Sequence, residues 1–267
     1  MRGKAVIRTY ISGRVVEKSK FWVPAQTRVR SGRVKGNTSA AKHDQNYRSA
    51  VKRAARDLNC NFGRGDLLIT AKYDDEYLAL IRNSTEDQDR LTRNFLRRLK
   101  RALGPLGKNL KAFIVPSEID GETGRPVRPH VHIVLSGKGI VFSDGAWRIG
   151  NRTLSEIWGM GSIYGEPIRD QADLTPLALY MLRQARRVAG KPAYTHTRNL
   201  AKPIVTERVC KTGAPLKQPT GAVLVESGEY NVETGTHYIR YIAPQKGVAR
   251  EKLQAENVPL PARQGAV

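Results

Sequence analysis

The chain has 267 residues, enough to bury a full core, and carries 46 Lys and Arg against 24 Asp and Glu, a formal charge of +22. Such an excess is the electrostatic footprint of a polyanion binder, because neutralising phosphates releases their condensed counterions. No run of about 18 apolar residues is present and Met1–Lys4 lack a signal-peptide core, so a soluble cytoplasmic protein with no membrane partner is expected. The cysteines, Cys60 and Cys210, are too far apart for a metal spacing or a disulfide framework and fit a reducing compartment. Charge alone does not separate DNA from RNA, or an enzyme from a binding protein.

Residues 1–36 mix many cations with scattered apolar residues, which predicts an extended basic arm with some strand, ordered partly by nucleic acid. Thr38 or Ser39 is expected to cap a helix running to about Leu58, with Tyr47, Val51, Ala54 or Ala55, and Leu58 on one face. Lys52, Arg53 and Arg56 lie off that face, where a solvated surface and phosphate contact are both open. After the break at Asn61–Gly65, Asp66–Tyr73 reads as a strand. A second helix begins near Ser84, with Glu86 and Asp87 in its first turn. Leu91, Phe95, Leu99 and Leu103 recur at intervals of four, and Gly104-Pro105 ends it. Arg90, Arg93, Arg97, Arg98, Lys100 and Arg101 fall on its exposed side.

Leu110–Val115 reads as a strand continuing to Glu118, followed by a loop over 119–126 and a strand over Arg128–Leu135. Thr153–Trp158 predicts a short helix stopped by Gly159, and Ser162–Ile168 a further strand. Asp173 is a good N-cap for a helix in which Leu174, Ala178, Met181, Ala185 and Val188 form the core stripe. Tyr180 and Arg183, three apart, border that stripe. Past Gly190 the chain reads as irregular to Pro203, then as strands near Ala222–Glu226 and His237–Ile242, then as a polar tail. This suggests a basic arm and helix over 1–60, a central domain over 61–203 and a carboxy-terminal extension over 204–267. No internal repeat and no phosphate-binding loop of the ATPase type is present.

The most informative stretch is Arg128-Pro129-His130-Val131-His132-Ile133-Val134-Leu135. Strand alternation puts His130 and His132 on one face and Val131, Ile133 and Leu135 on the other, so both imidazoles can address one ion. If the 119–126 loop folds back as a hairpin, Glu118 comes up beside them. Two histidines and a carboxylate leave coordination positions open for water and a substrate oxygen.

The order of strand, basic helix, strand ending in Glu, strand bearing His-x-His, and helix bearing Tyr resembles the HUH endonucleases. Within these it is most similar to rolling-circle replication initiators of bacterial phages and plasmids related to the filamentous-phage initiator. Leu67-Leu68-Ile69-Thr70-Ala71-Lys72-Tyr73 resembles the first family motif. Glu118 with the His130 strand resembles the second. Leu179–Gln184, followed by Tyr194–Pro203, resembles the third. The resemblance spans roughly residues 37–203. It departs at Arg183, where the family usually has Lys; arginine keeps the charge but does not readily give up a proton.

The resemblance implies an α+β fold, a central antiparallel sheet of about five strands flanked by helices, related to RNA-recognition and ferredoxin-like folds. It implies Mg²⁺ or Mn²⁺ held by Glu118, His130 and His132, with Tyr180 as nucleophile and Arg183 supporting charge. Tyr194 is a competing nucleophile. Lys72, Tyr73, Arg93, Arg97, Arg128, Arg198 and Lys202 are candidate DNA contacts, and Tyr164 and Trp158 candidate stacking surfaces for unpaired bases. Expected partners are single-stranded or origin-hairpin DNA and a host helicase and polymerase, in a bacterial cytoplasm. A non-catalytic DNA- or RNA-binding regulator, a transposase and a relaxase remain open.

Overall fold

The computed structural model describes residues 3–24, 40–83, 85–186, 191–211, 213, 215–231 and 236–244. In chain order the first elements are β1 (Lys4–Ser12), β2 (Val15–Val23), α1 (Ala40–Asn61), β3 (Leu67–Lys72), α2 (Asp75–Asn83) and α3 (Thr85–Ala102). After a 3-10 turn at Gly104–Asn109 come β4 (Ala112–Ile119), β5 (Pro126–Leu135), β6 (Val141–Ser143), β7 (Ala146–Ile149), β8 (Arg152–Thr153) and α4 (Leu154–Trp158). The last are β9 (Ile163–Pro167), α5 (Thr175–Arg183), β10 (Thr195–His196), β11 (Ile204–Cys210), β12 (Val223–Ser227) and β13 (His237–Ile242). They form two compact units, one drawn from 1–45 and 202–267, the other from 46–201.

The 46–201 unit is α+β, built on a five-stranded antiparallel sheet in the order β10-β4-β5-β3-β9 and flanked by helices. Alternation gives the sheet two apolar faces. Leu67, Ile69, Ala71, Ile114, Ile133 and Leu135 meet Leu78 of α2, Phe95 and Leu99 of α3 and Trp158 of α4. On the other face Leu68, Phe113, Val115 and Val134 meet Ala54 and Leu58 of α1 and Met181 and Leu182 of α5. Because β5 is central and covered on both sides, Val131–Leu135 are all buried. The expected break after residue 60 instead falls at 45/46, because the apolar face of α1 belongs to this sheet.

The β4–β5 hairpin exists as anticipated. The Asp120 carboxylate accepts from the Glu122 and Thr123 amides at 3.1 and 2.7 Å, and Gly124 takes the φ of +70° that the turn requires. The register runs from Ser117 opposite His130 to Ile119 opposite Pro126, so Val127, Arg128 and Pro129 face Glu118 alone. Pro129 has no amide hydrogen for the ladder, which suits it to this irregularity.

Helix α5 stops at Arg183 instead of running on, and Val188 lies outside the described residues. The chain leaves the helix to pair with β4. The Glu118 amide donates to the Gln184 carbonyl at 3.2 Å and the Arg186 amide to the Pro116 carbonyl at 2.8 Å. Ala185, predicted as helix, makes a bridge to Ser117. Elsewhere, Thr153 and Glu156 form a reciprocal capping box at α4, and Gly159 ends that helix in the left-handed conformation. The short α2, the β6-β7-β8 sheet and β11 are additions to the expected elements.

The other unit is a five-stranded sheet in the order β11-β1-β2-β13-β12, with Ile11, Val16, Ile239 and Tyr241 at its core. Lys4–Val23 is thus a hairpin within a sheet and not an extended arm. Residues 25–36 of the expected arm, Thr38, Ser39 and the carboxy-terminal tail lie outside the described residues.

Candidate metal and tyrosine site

The site lies on the sheet face covered by α1 and α5, midway along β5 and beside the last turn of α5. His130 and His132 share this face, with their Nε2 atoms 3.1 Å apart. Each ring is held from behind. His130 Nδ1 lies 2.9 Å from the Arg128 carbonyl, which can only accept, so Nδ1 carries the proton and Nε2 presents a lone pair. His132 Nδ1 sits 3.1 Å from Thr70 Oγ1 on the neighbouring strand. Burial, then the proximity of His130, lowers the His132 pKa to about 4, so this imidazole is neutral at neutral pH, the form that binds a metal.

Glu118 does not complete this pair. Ser117 is opposite His130, and the register breaks between Ser117 and Ile119, so Glu118 sits in the irregularity with no partner across β5. Among the described residues no three His, Cys, Asp or Glu groups are placed to hold one ion. The oxygen that does approach is Gln184 Oε1, 3.3 Å from His132 Nε2. Gln184 was missed in the sequence although it lies four residues after Tyr180, on the same side of the helical path. It is aimed by the exchange of helix for strand pairing at Ala185, which no local pattern announces.

His132 Nε2 thus has the His130 nitrogen and the Gln184 oxygen as neighbours. Imidazole nitrogens and an amide oxygen are atoms a divalent cation can take, and the Arg128 carbonyl and Thr70 hydroxyl behind the rings hold their orientation.

Tyr180 stands beside the pair. Its ring centroid is 5.4 Å from that of His132, and the side chain is 49% exposed. Gln184 Nε2 donates to the Tyr180 carbonyl at 3.5 Å, tying the two residues together. Arg183 is exposed one turn along, and Lys72 is exposed on β3 directly opposite His130. Tyr194 is in a different setting. It stacks on buried Phe113 at 4.6 Å and donates to Asp57 at 3.3 Å. Burial, then the Asp57 charge, pushes its pKa up to about 12, which disfavours the phenolate a nucleophile needs.

The remaining candidates separate by location. Tyr73, expected among the DNA contacts, is instead 1% exposed and packed against Trp158 at 5.1 Å, so its ring cannot touch DNA. Trp158 is likewise buried and offers no stacking surface, whereas Tyr164 is 67% exposed. The Arg128 guanidinium is engaged by the Tyr73 carbonyl at 2.7 Å and Asp75 at 2.9 Å, locking β5 to the start of α2. Arg93 and Arg97 are exposed on α3, the layer over the face away from the histidines. Arg98, expected among the exposed cations, instead binds the Ile157 carbonyl at 2.8 Å and the Trp158 carbonyl at the end of α4. Arg198 is exposed just after β10, and Lys202 is exposed in the other unit. No helix among the described residues is long and apolar enough to cross a membrane. Neither a protein-family model, nor a curated protein, nor a solved structure matches this chain.

Proposed function

We propose that the chain is a metal-dependent single-strand DNA endonuclease and strand transferase of the HUH type that initiates rolling-circle replication. The observation that carries this reading is the meeting of the His130 and His132 Nε2 atoms at 3.1 Å beside the half-exposed ring of Tyr180. A net charge of +22 supports a nucleic-acid substrate.

His130 and His132, with the Gln184 oxygen, would hold Mn²⁺ or Mg²⁺. When bound, such an ion supplies positive charge to the scissile phosphate and stabilises the charge that builds there. Tyr180 loses its proton to solvent and its Oη attacks phosphorus. The Oη–P bond forms as the P–O3′ bond breaks, and the departing 3′ oxygen collects a proton. The products are a 5′-phosphotyrosine and a free 3′-hydroxyl that can prime synthesis. Arg183 and Lys72 offset phosphate charge on either side of the histidines. Because the phosphoester is conserved, attack by a second hydroxyl rejoins ends without ATP.

The failure of Glu118 to join the histidines favours a second reading, a nucleic-acid binder without chemistry. Incubating the chain with Mn²⁺ and labelled single-stranded origin DNA separates them. The enzyme gives a denaturant-stable protein–DNA adduct that Tyr180→Phe eliminates, and the binder gives none.

A further inference from the structure

Tyr180 has a second neighbourhood. Away from His132 it lines a cleft of about 310 Å³ whose other walls include Leu68, Glu166, Ile168, Arg169 and Leu177. That volume is at the lower end of small-molecule sites, about 300–1,000 Å³, and suits a single flat ring better than a polymer. Leu68 and Ile168 are buried apolar walls, suited to the faces of such a ring. Glu166 and Arg169 are exposed at its edge. The Glu166 carboxylate offsets the attraction of Arg169 for phosphate, so the pair suits the neutral polar edge of a base better than the backbone.

The sheet register ties this cleft to the histidines. Glu166 is opposite Leu68, and two residues earlier Tyr164 is opposite Thr70, which is itself opposite His132. Cross-strand partners share a face, so Glu166, Tyr164 and His132 all lie on the face that carries Tyr180. Tyr164, two residues before Glu166 and across β3 from His132, thereby offers an exposed ring on this face, as a stacking surface would.

We propose that this cleft reads one base of the single strand, a guanine next to the phosphate addressed by Tyr180. This rests on the single-strand DNA reading above. Guanine is the base that offers adjacent N1–H and N2–H donors to one carboxylate, here Glu166, and acceptors at O6 and N7 to a guanidinium, here Arg169. The base one nucleotide nearer the histidines stacks on Tyr164.

The test is selection from a randomised single-stranded DNA pool by the full chain in EDTA, where no cleavage intervenes. The wild-type chain enriches guanine at one position. Glu166→Gln, which keeps the side-chain size, lowers that enrichment roughly tenfold. Inosine, which lacks the 2-amino group, placed at that position weakens wild-type binding by roughly the same factor, a readout that needs no variant to fold. Tyr164→Ala weakens binding of every sequence by about tenfold. Enrichment of no base or of another base, or a guanine preference indifferent to both Glu166→Gln and inosine, overturns the proposal. The nuclease reading fails separately, by absence of a Tyr180 adduct with Mn²⁺ while the guanine preference persists in EDTA.

Discussion

At the scale of single residues, the two candidate nucleophiles, Tyr180 and Tyr194, have opposite environments. Tyr180 is half exposed beside His132, whereas the Tyr194 phenol is packed on Phe113 and pushed up to about 12 by burial and Asp57. Tyr180→Phe is therefore expected to lower adduct formation by at least a thousandfold without changing DNA affinity in anisotropy titrations, while Tyr194→Phe keeps adduct formation. A pH series adds an independent check on Tyr194. Its folded pKa lies above the unfolded value of about 10, so its contribution to stability is fully present below pH 10 and is lost as pH rises towards 12. Thermal melts of Tyr194→Phe should fall less steeply between pH 10 and 12 than those of the wild type. The histidines were legible because alternation by two needs only the local sequence. Gln184 was not, because its position depends on a strand pairing with residues almost seventy positions earlier.

At the scale of elements, the site is made by β5 setting His132 beside the last turn of α5, and the two helical layers have different tasks. Because α3 covers the opposite face, Arg93→Ala with Arg97→Ala is expected to leave the adduct rate within about twofold of wild type. Lys72→Ala and Arg183→Ala should each shallow the salt dependence of DNA binding, removing about one unit of the log–log slope. Equal slopes for all four substitutions would place the substrate elsewhere. Helices α1 and α3 were readable from their apolar periodicity, and α4 from Thr153, Glu156 and Gly159. The end of α5 was over-extended because Ala185 continues the helical stripe, yet the bridge to Ser117 claims it. Glu118 is not brought into a cluster with the histidines, because the sequence announces the hairpin and not the register break between Ser117 and Ile119.

At the scale of the whole molecule, the 46–201 unit holds both apolar cores of the site-bearing sheet, while the amino-terminal hairpin pairs with strands about two hundred residues away. That long-range pairing is why residues 4–23 read as a basic arm: short alternating strands without a nearby partner carry little local signal. A chain comprising 40–201 is expected to melt cooperatively in calorimetry, and a broad non-cooperative transition would show that the unit depends on the other for its fold. The +22 charge predicts that single-strand affinity falls steeply with salt, and a salt-independent affinity would remove nucleic acid as the substrate.

The central claim, that the paired imidazoles and Tyr180 form one reaction centre, is tested most directly by mapping the covalent product. The wild-type chain, supplied with Mn²⁺ and single-stranded origin DNA, digested and sequenced by mass spectrometry, should carry the nucleotide on Tyr180, and His130→Ala or His132→Ala should abolish it. A nucleotide on Tyr194, an adduct undiminished by both histidine substitutions, or no adduct on any origin strand would contradict the account.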